Sequence, residues 1–315
     1  MKIGKIFAVT LCALTLFLVS GCQQKAATSS APAKEKAPAA TLAKGSGSFV
    51  MKETLGATKD DMKVFYYRPE KWTNKNPIMM VFHGMNRNAD TYRDNWIKLA
   101  DQYNFLVICP EFTSKKFPGV RYYNAGNVAD VDEYEDKVGD FYPKKDWIFK
   151  VVDDAVLAAK KAAGAPDAPV AIFGHSAGAQ MTHRYLLLGG DTTAKLIIPA
   201  NAGWYTMPDA NITFPYGIKA LPISKEELAK DFAKPAVILL GEADVVRGKN
   251  LRQTTMSDAQ GQNRLARGKA FYAQAKAKAA EMGVPFNWKL VTVPGVAHDN
   301  AGMAVAAAKL VAAMK

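Results

Sequence analysis

Cysteine is scarce, with three in 315 residues. Cys12 lies in the N-terminal apolar stretch, Cys22 just past it, and Cys109 stands alone in a short apolar run. The folded part of the chain therefore has no pair to close an internal disulfide, and Cys109 reads as a small core residue rather than a nucleophile. Long apolar runs are also missing. Residues 6–19 are uncharged and mostly apolar, with Lys2 and Lys5 ahead of them. That length suits a secretory signal and is short for a membrane-spanning helix. Acidic residues are the minority, 29 against 41 basic, and the net charge is +12. Loss of Lys2 and Lys5 with a signal segment would leave about +10. A basic surface favours anionic headgroups or cell-wall polymers. No basic-aromatic pattern points to nucleic acid, and no internal repeat is present. Only four histidines, His83, His175, His183 and His298, are available as a base.

What is present is enough for a sizeable core. Hydrophobic residues make up 49% and aromatics 10%. Residues 23–48 are rich in Ala, Lys, Ser, Pro and Gly, and such a segment buries too little apolar surface to offset its ordering entropy. It reads as a flexible tether. The folded domain is expected from Phe49 to the end, residues 49–315, with early strands at 49–54 and 62–67 forming an antiparallel pair. Continuous apolar strands follow at 78–82, 105–109, 169–173, 196–198, 236–240 and 288–293. Helices are expected at 94–103, 147–159, 179–188, 263–282 and 302–314, and a short one after Ser224-Lys225-Glu226-Glu227, which has capping-box spacing. Strands alternating with helices argue for an α/β fold with a mostly parallel sheet covered on both faces.

Two irregular insertions interrupt this alternation, residues 111–145 and 206–232. The first carries Asp130, Asp132, Glu133, Glu135, Asp136 and Asp140. Their spacing does not match an EF-hand, so a solvated acidic loop is expected. A loop of this length in a compact domain is often functional, so it is expected to shape the mouth of a site.

The organising stretch is Gly174-His175-Ser176-Ala177-Gly178, between a buried strand and a helix. Strand, G-x-S-x-G, helix is the context that this motif requires. Ligands and catalysts in open α/β sheets gather at the carboxyl ends of strands, and these ends carry His83-Gly84, Ser176, Asp244 and His298. The gaps of 68 residues from Ser176 to Asp244 and 54 from Asp244 to His298 each leave room for a strand–helix crossover.

Over residues 49–315 the chain resembles the α/β-hydrolase superfamily. Within it the chain looks like bacterial esterases of the polyhydroxybutyrate-depolymerase and feruloyl-esterase type, on Gly174 to Gly178, Gly241 to Asp244 and Gly295 to His298. The order Ser, Asp, His is that of the superfamily's triad. The resemblance implies Ser176 as nucleophile, His298 as base and Asp244 as its orienting acid. It also implies an oxyanion hole from the backbone N–H groups of Ala177 and Met85. Glu242, two residues nearer the strand end, competes with Asp244 for the acid. His83 is expected to be structural, His183 surface or packing, and His175 to point away from the serine. Trp204 and Tyr205 are candidates for a substrate pocket. Arg264 and Arg267 could bind a carboxylate or phosphate, although charge on a helix surface reads more simply. The implied activity is hydrolysis of carboxylic esters, small or linked to polysaccharide or polyester, through an acyl-enzyme and with no metal or organic cofactor. A serine peptidase or thioesterase on the same fold, and a non-catalytic cell-wall-binding lipoprotein, are the alternatives.

Val19-Ser20-Gly21-Cys22 resembles the lipobox of bacterial lipoproteins. It implies cleavage after residue 21, lipid on Cys22 and anchoring to the cell envelope. Gln23 in place of an aspartate favours the outer membrane where the host has one.

Overall fold

Short apolar runs build the centre of the molecule. A computed structural model describes residues 42–190 and 194–314. The proposed signal segment, Cys22 and the tether up to residue 41 lie outside the described residues. In chain order the elements are β1 (Gly45–Met51), β2 (Met62–Arg68), β3 (Ile78–Phe82), α1 (Ala89–Asn95), α2 (Ile97–Tyr103) and β4 (Leu106–Pro110). The first insertion holds α3 (Gly119–Tyr122), β5 (Ala129–Val131) and β6 (Val138–Phe141). Then come α4 (Phe149–Ala163), β7 (Val170–His175), α5 (Ala177–Leu187), β8 (Leu196–Ala200), α6 (Lys225–Ala233) and β9 (Ala236–Gly241). The chain continues through α7 (Thr255–Ala259), α8 (Arg264–Glu281), β10 (Trp288–Val293) and α9 (Asn300–Ala312).

Eight strands form one sheet in the order β1-β2-β4-β3-β7-β8-β9-β10, while β5 and β6 pair separately. β1 with β2 and β2 with β4 are antiparallel, and the rest of the large sheet is parallel. Alternate residues of a strand face opposite sides, which accounts for two separate cores. Ile78, Met80 and Phe82 of β3 join α4, α5, α6 and α8 on one side. Met79 and Val81 join α1, α2 and α9 on the other. β3 lies between β4 and β7, so successive crossovers run outward in opposite directions from it. The carboxyl ends of β3 and β7 are therefore the topological switch point, where an α/β sheet opens a crevice.

Two expectations need correction. The sheet starts at Gly45, inside the stretch read as tether. Backbone pairing with β2 needs no particular side chain, and here small residues are required. A Cβ on Gly47 would lie 2.4 Å from the Tyr66 ring. The helix expected at 94–103 is two helices, α1 and α2, broken at Trp96. The break turns Trp96 inward, fully buried, with ring centroids 6.0 Å from Phe105 and 5.0 Å from Phe173. The short helix α7 was not foreseen; Thr254 caps it by accepting from the Ser257 N–H. The capping box at Ser224 and Glu227 is present as expected.

Candidate active site

The turn from β7 into α5 holds Ser176 at φ 58° and ψ −115°, outside the regions that L-residues ordinarily populate. Neither Gly174 nor Gly178 has a positive φ. They are required by space: a Cβ on Gly178 would sit 2.2 Å from the Phe82 carbonyl oxygen, and one on Gly174 would sit 2.4 Å from the Gly178 carbonyl oxygen. α5 thus lies directly against the end of β3. Gly178→Ala is expected to push the helix off that strand end, lowering stability by about 1–3 kcal/mol and reducing turnover with it. Thermal unfolding and initial rates check both effects.

Three loops bring the predicted residues together. The Ser176 hydroxyl donates to His298 Nε2 at 3.0 Å, and His298 Nδ1–H donates to Asp244 Oδ2 at 2.7 Å. Asp244 is 1% exposed and the His298 side chain 29% exposed. Glu242 is placed apart from His298: its carboxylate accepts from the Thr292 hydroxyl of β10 at 2.7 Å and is exposed. The outward fan of the parallel strands supplies each loop, since Asp244 follows β9 and His298 follows β10.

Asn201, after β8, ties these loops to one another. It is fully buried at φ 54°. Its amide accepts from the Gly241 N–H at 2.8 Å and donates to the Ala297 carbonyl at 3.2 Å. One side chain thus ties both the loop bearing Asp244 and the loop bearing His298. Sequence reasoning assigned it no role, because its partners are 40 and 96 residues away.

The other histidines are buried. His83 donates from Nδ1 to the Gly84 carbonyl and accepts from the Phe112 N–H at Nε2. Burial pulls it down to about 4, so it is a neutral strut at the end of β3. His183 accepts from the Thr206 N–H and donates to the Ala179 carbonyl. His175, expected to point elsewhere, instead packs on His298 with ring centroids 4.7 Å apart. Its Nδ1 pairs with the Tyr92 hydroxyl at 3.1 Å. Burial, then the charges of His298 and Arg264, hold it well below the usual imidazole range. It therefore presents a neutral face to His298.

A cavity of about 490 Å³ opens over Ser176, lined among others by Met85, Ala177, Gln180, Trp204 and Arg264. Trp204 lines this cavity and is otherwise buried. Tyr205 does not: its ring stacks on Phe271 at 4.7 Å and lies in the core. Ala177 opens α5, so its N–H has no acceptor within the helix, and Met85 follows the end of β3. The first insertion forms part of the wall, with Glu133 and Tyr134 lining the same cavity. Arg252 pins that insertion by donating to the carbonyls of Asp132 at 2.8 Å, Glu133 at 3.1 Å and Glu135. The acidic residues are largely engaged. Asp130 pairs with Arg121, Asp132 accepts two backbone N–H groups, and Asp136 accepts from Tyr216 and the Met256 N–H. Arg264 and Arg267, read as surface charge, are buried at 6% and 0% exposure.

This geometry has counterparts among solved structures. Poly(aspartic acid) hydrolase-1 from Sphingomonas sp. KT-1 is 40% identical, with a TM-score of 0.78 over 86% of this chain and 99% of that one. The poly(3-hydroxybutyrate) depolymerase from Bordetella parapertussis is 30% identical, with a TM-score of 0.77 over 85% of this chain and 90% of that one. The chain belongs to the α/β-hydrolase serine hydrolases. As in other α/β-hydrolases, its serine stands on the strand-to-helix turn next to the switch point. An S-formylglutathione hydrolase from Agrobacterium tumefaciens, at 16% identity and a TM-score of 0.54 over 85% of this chain and 95% of that one, shares the fold. No family model and no curated protein matches the sequence.

Proposed function

We propose that this α/β-hydrolase cleaves carboxylic esters through an acyl-enzyme on Ser176. The observation that carries the reading is the unbroken hydrogen-bond chain from Ser176 through His298 to the buried Asp244. A serine hydroxyl is a weak nucleophile at neutral pH and needs a base within reach. His298 Nε2 takes its proton as Oγ attacks the ester carbonyl. Asp244 holds the imidazole in the tautomer with a free Nε2 and stabilises the imidazolium. The N–H groups of Ala177 and Met85 face the developing oxyanion, where donors act in a partly dry site. His298 then protonates the leaving alkoxide. Water, deprotonated by the same nitrogen, attacks the acyl-enzyme and frees the acid.

The test is hydrolysis of p-nitrophenyl acetate, butyrate and octanoate by residues 42–315, with Ser176→Ala in parallel. A second reading has a specific observation behind it. Lys249, Arg252 and Arg264 line the cavity, and the polymer named for the Sphingomonas relative is a polycarboxylate. Hydrolysis of an acidic polymer is therefore assayed beside the esters.

We also propose that the mature chain begins at Cys22 and is lipid-anchored to the cell envelope, on the strength of Val19-Ser20-Gly21-Cys22. Cys22→Ala is expected to move the protein from the membrane fraction of its host to the soluble fraction. A variant that still sediments with membranes would overturn the anchor.

A further inference from the structure

We propose that Arg264 is a positioning residue for the triad acid. Its guanidinium faces Asp244 Oδ1 so that Oδ2 meets His298, and its fixed charge acts on the same triad. This rests on the triad reading above. Asp244 is buried, and its Oδ2 accepts from His298. Its Oδ1 faces Arg264 Nη1 at 3.4 Å. The Arg264 side chain is only 7% exposed. Its Nη2 donates to the Asn250 carbonyl at 3.1 Å, and its Nε has no partner among the described residues. Asp244 is the only carboxylate paired with it among the described residues, whereas Arg267, one turn along α8, pairs with Asp258. α8 is itself docked on the acid, since the Leu265 N–H donates to the Asp244 carbonyl at 3.3 Å. A buried charge without a partner is strongly unfavourable. Arg264 and Asp244 thus answer one another, and the carboxylate is shared between a permanent cation and an imidazole that becomes one during the reaction.

The sign follows from Coulomb's law. A fixed positive charge beside an imidazole disfavours its protonated form. The other groups facing the pair are His175 from the β7 turn and Tyr205 from the loop after β8, with Tyr92 behind His175. His175 is held well below the usual imidazole range, and burial pushes Tyr205 and Tyr92 up. None of these three titrates near neutrality. Arg264→Gln should therefore move the acid limb of kcat/KM upward by roughly half to one pH unit. It should also lower kcat about 10- to 100-fold through misplacement of the acid, with KM for a neutral ester little changed. Arg264→Lys keeps the charge but not the planar fork. It should leave the limb in place while losing part of kcat.

The experiment measures pH profiles for wild type, Arg264→Gln and Arg264→Lys on p-nitrophenyl butyrate and on a mono-p-nitrophenyl ester of succinate. It also follows the His298 ring resonance by NMR titration of the same proteins. Displacement of the limb and of the resonance in the Gln variant, with both unmoved and kcat reduced in the Lys variant, is the expected result. If the Gln variant fails to fold, a Lys variant with an unmoved limb and reduced kcat supports the proposal, and unchanged kcat overturns it. An unmoved limb and resonance in a folded Gln variant, with the loss confined to KM for the succinate ester, would make Arg264 a substrate contact and overturn the proposal. Wild type that hydrolyses neither ester would contradict the ester reading alone, and the NMR titration would still decide the role of Arg264.

Discussion

Ser176→Ala is expected to lower turnover of p-nitrophenyl butyrate by about 10⁴- to 10⁶-fold, with KM little changed. The substitution removes one oxygen atom. The unusual backbone angles at Ser176 are imposed by the approach of α5 to β3 and by the Ser176 N–H bond to the Ala200 carbonyl at 3.1 Å. Neither depends on the hydroxyl, so the cavity and the backbone donors should remain. What is lost is the acceptor of the acyl group. Residual rate over buffer would then come from the oxyanion donors and from binding alone. Matching thermal unfolding of the two proteins is the control that separates chemistry from folding.

Asp244→Asn is expected to be nearly as severe, lowering kcat about 10⁴-fold. The carboxylate accepts the proton of His298 Nδ1. An amide nitrogen turned to that place would donate instead, and the imidazole would answer by moving its proton to Nε2. In that tautomer His298 cannot accept from Ser176. The same change leaves the buried guanidinium of Arg264 facing a neutral group, so some stability should be lost as well. Glu242→Gln is the contrast. Glu242 is exposed and bonded to Thr292, and its loss should leave kcat within about 2-fold, as surface substitutions do. Equal losses from both variants would remove Asp244 from the assigned role.

Much of this was legible in the sequence where the physics is local. Continuous apolar runs such as 78–82 and 236–240 became strands of the parallel sheet, because a strand buried on both faces has no polar alternation to offer. The Ser224 capping box formed because its two bonds span only three residues. Ser176, Asp244 and His298 could be proposed because each follows a strand end, and strand ends converge at the switch point. What stayed hidden depends on long-range approach. Nothing near Gly45 announces a strand, since its partners lie in β2. Tyr205 and Trp204 are neighbours in sequence and both buried, but Trp204 reaches the cavity and Tyr205 does not line it. Arg264 has the pattern of an exposed helix residue until the fold sets Asp244, 20 residues away, against it. Asn201 likewise acquires its role only when β9 and β10 deliver two loops to one amide.

The measurement that bears most directly on the account is the mass of the enzyme during turnover. Residues 42–315 would be mixed with p-nitrophenyl butyrate, quenched rapidly in acid, weighed intact and then mapped by peptide. The account predicts one butyryl group on the peptide containing Ser176, absent from Ser176→Ala. Full turnover by Ser176→Ala, or a butyryl group carried on a different residue of the active wild type, would contradict it.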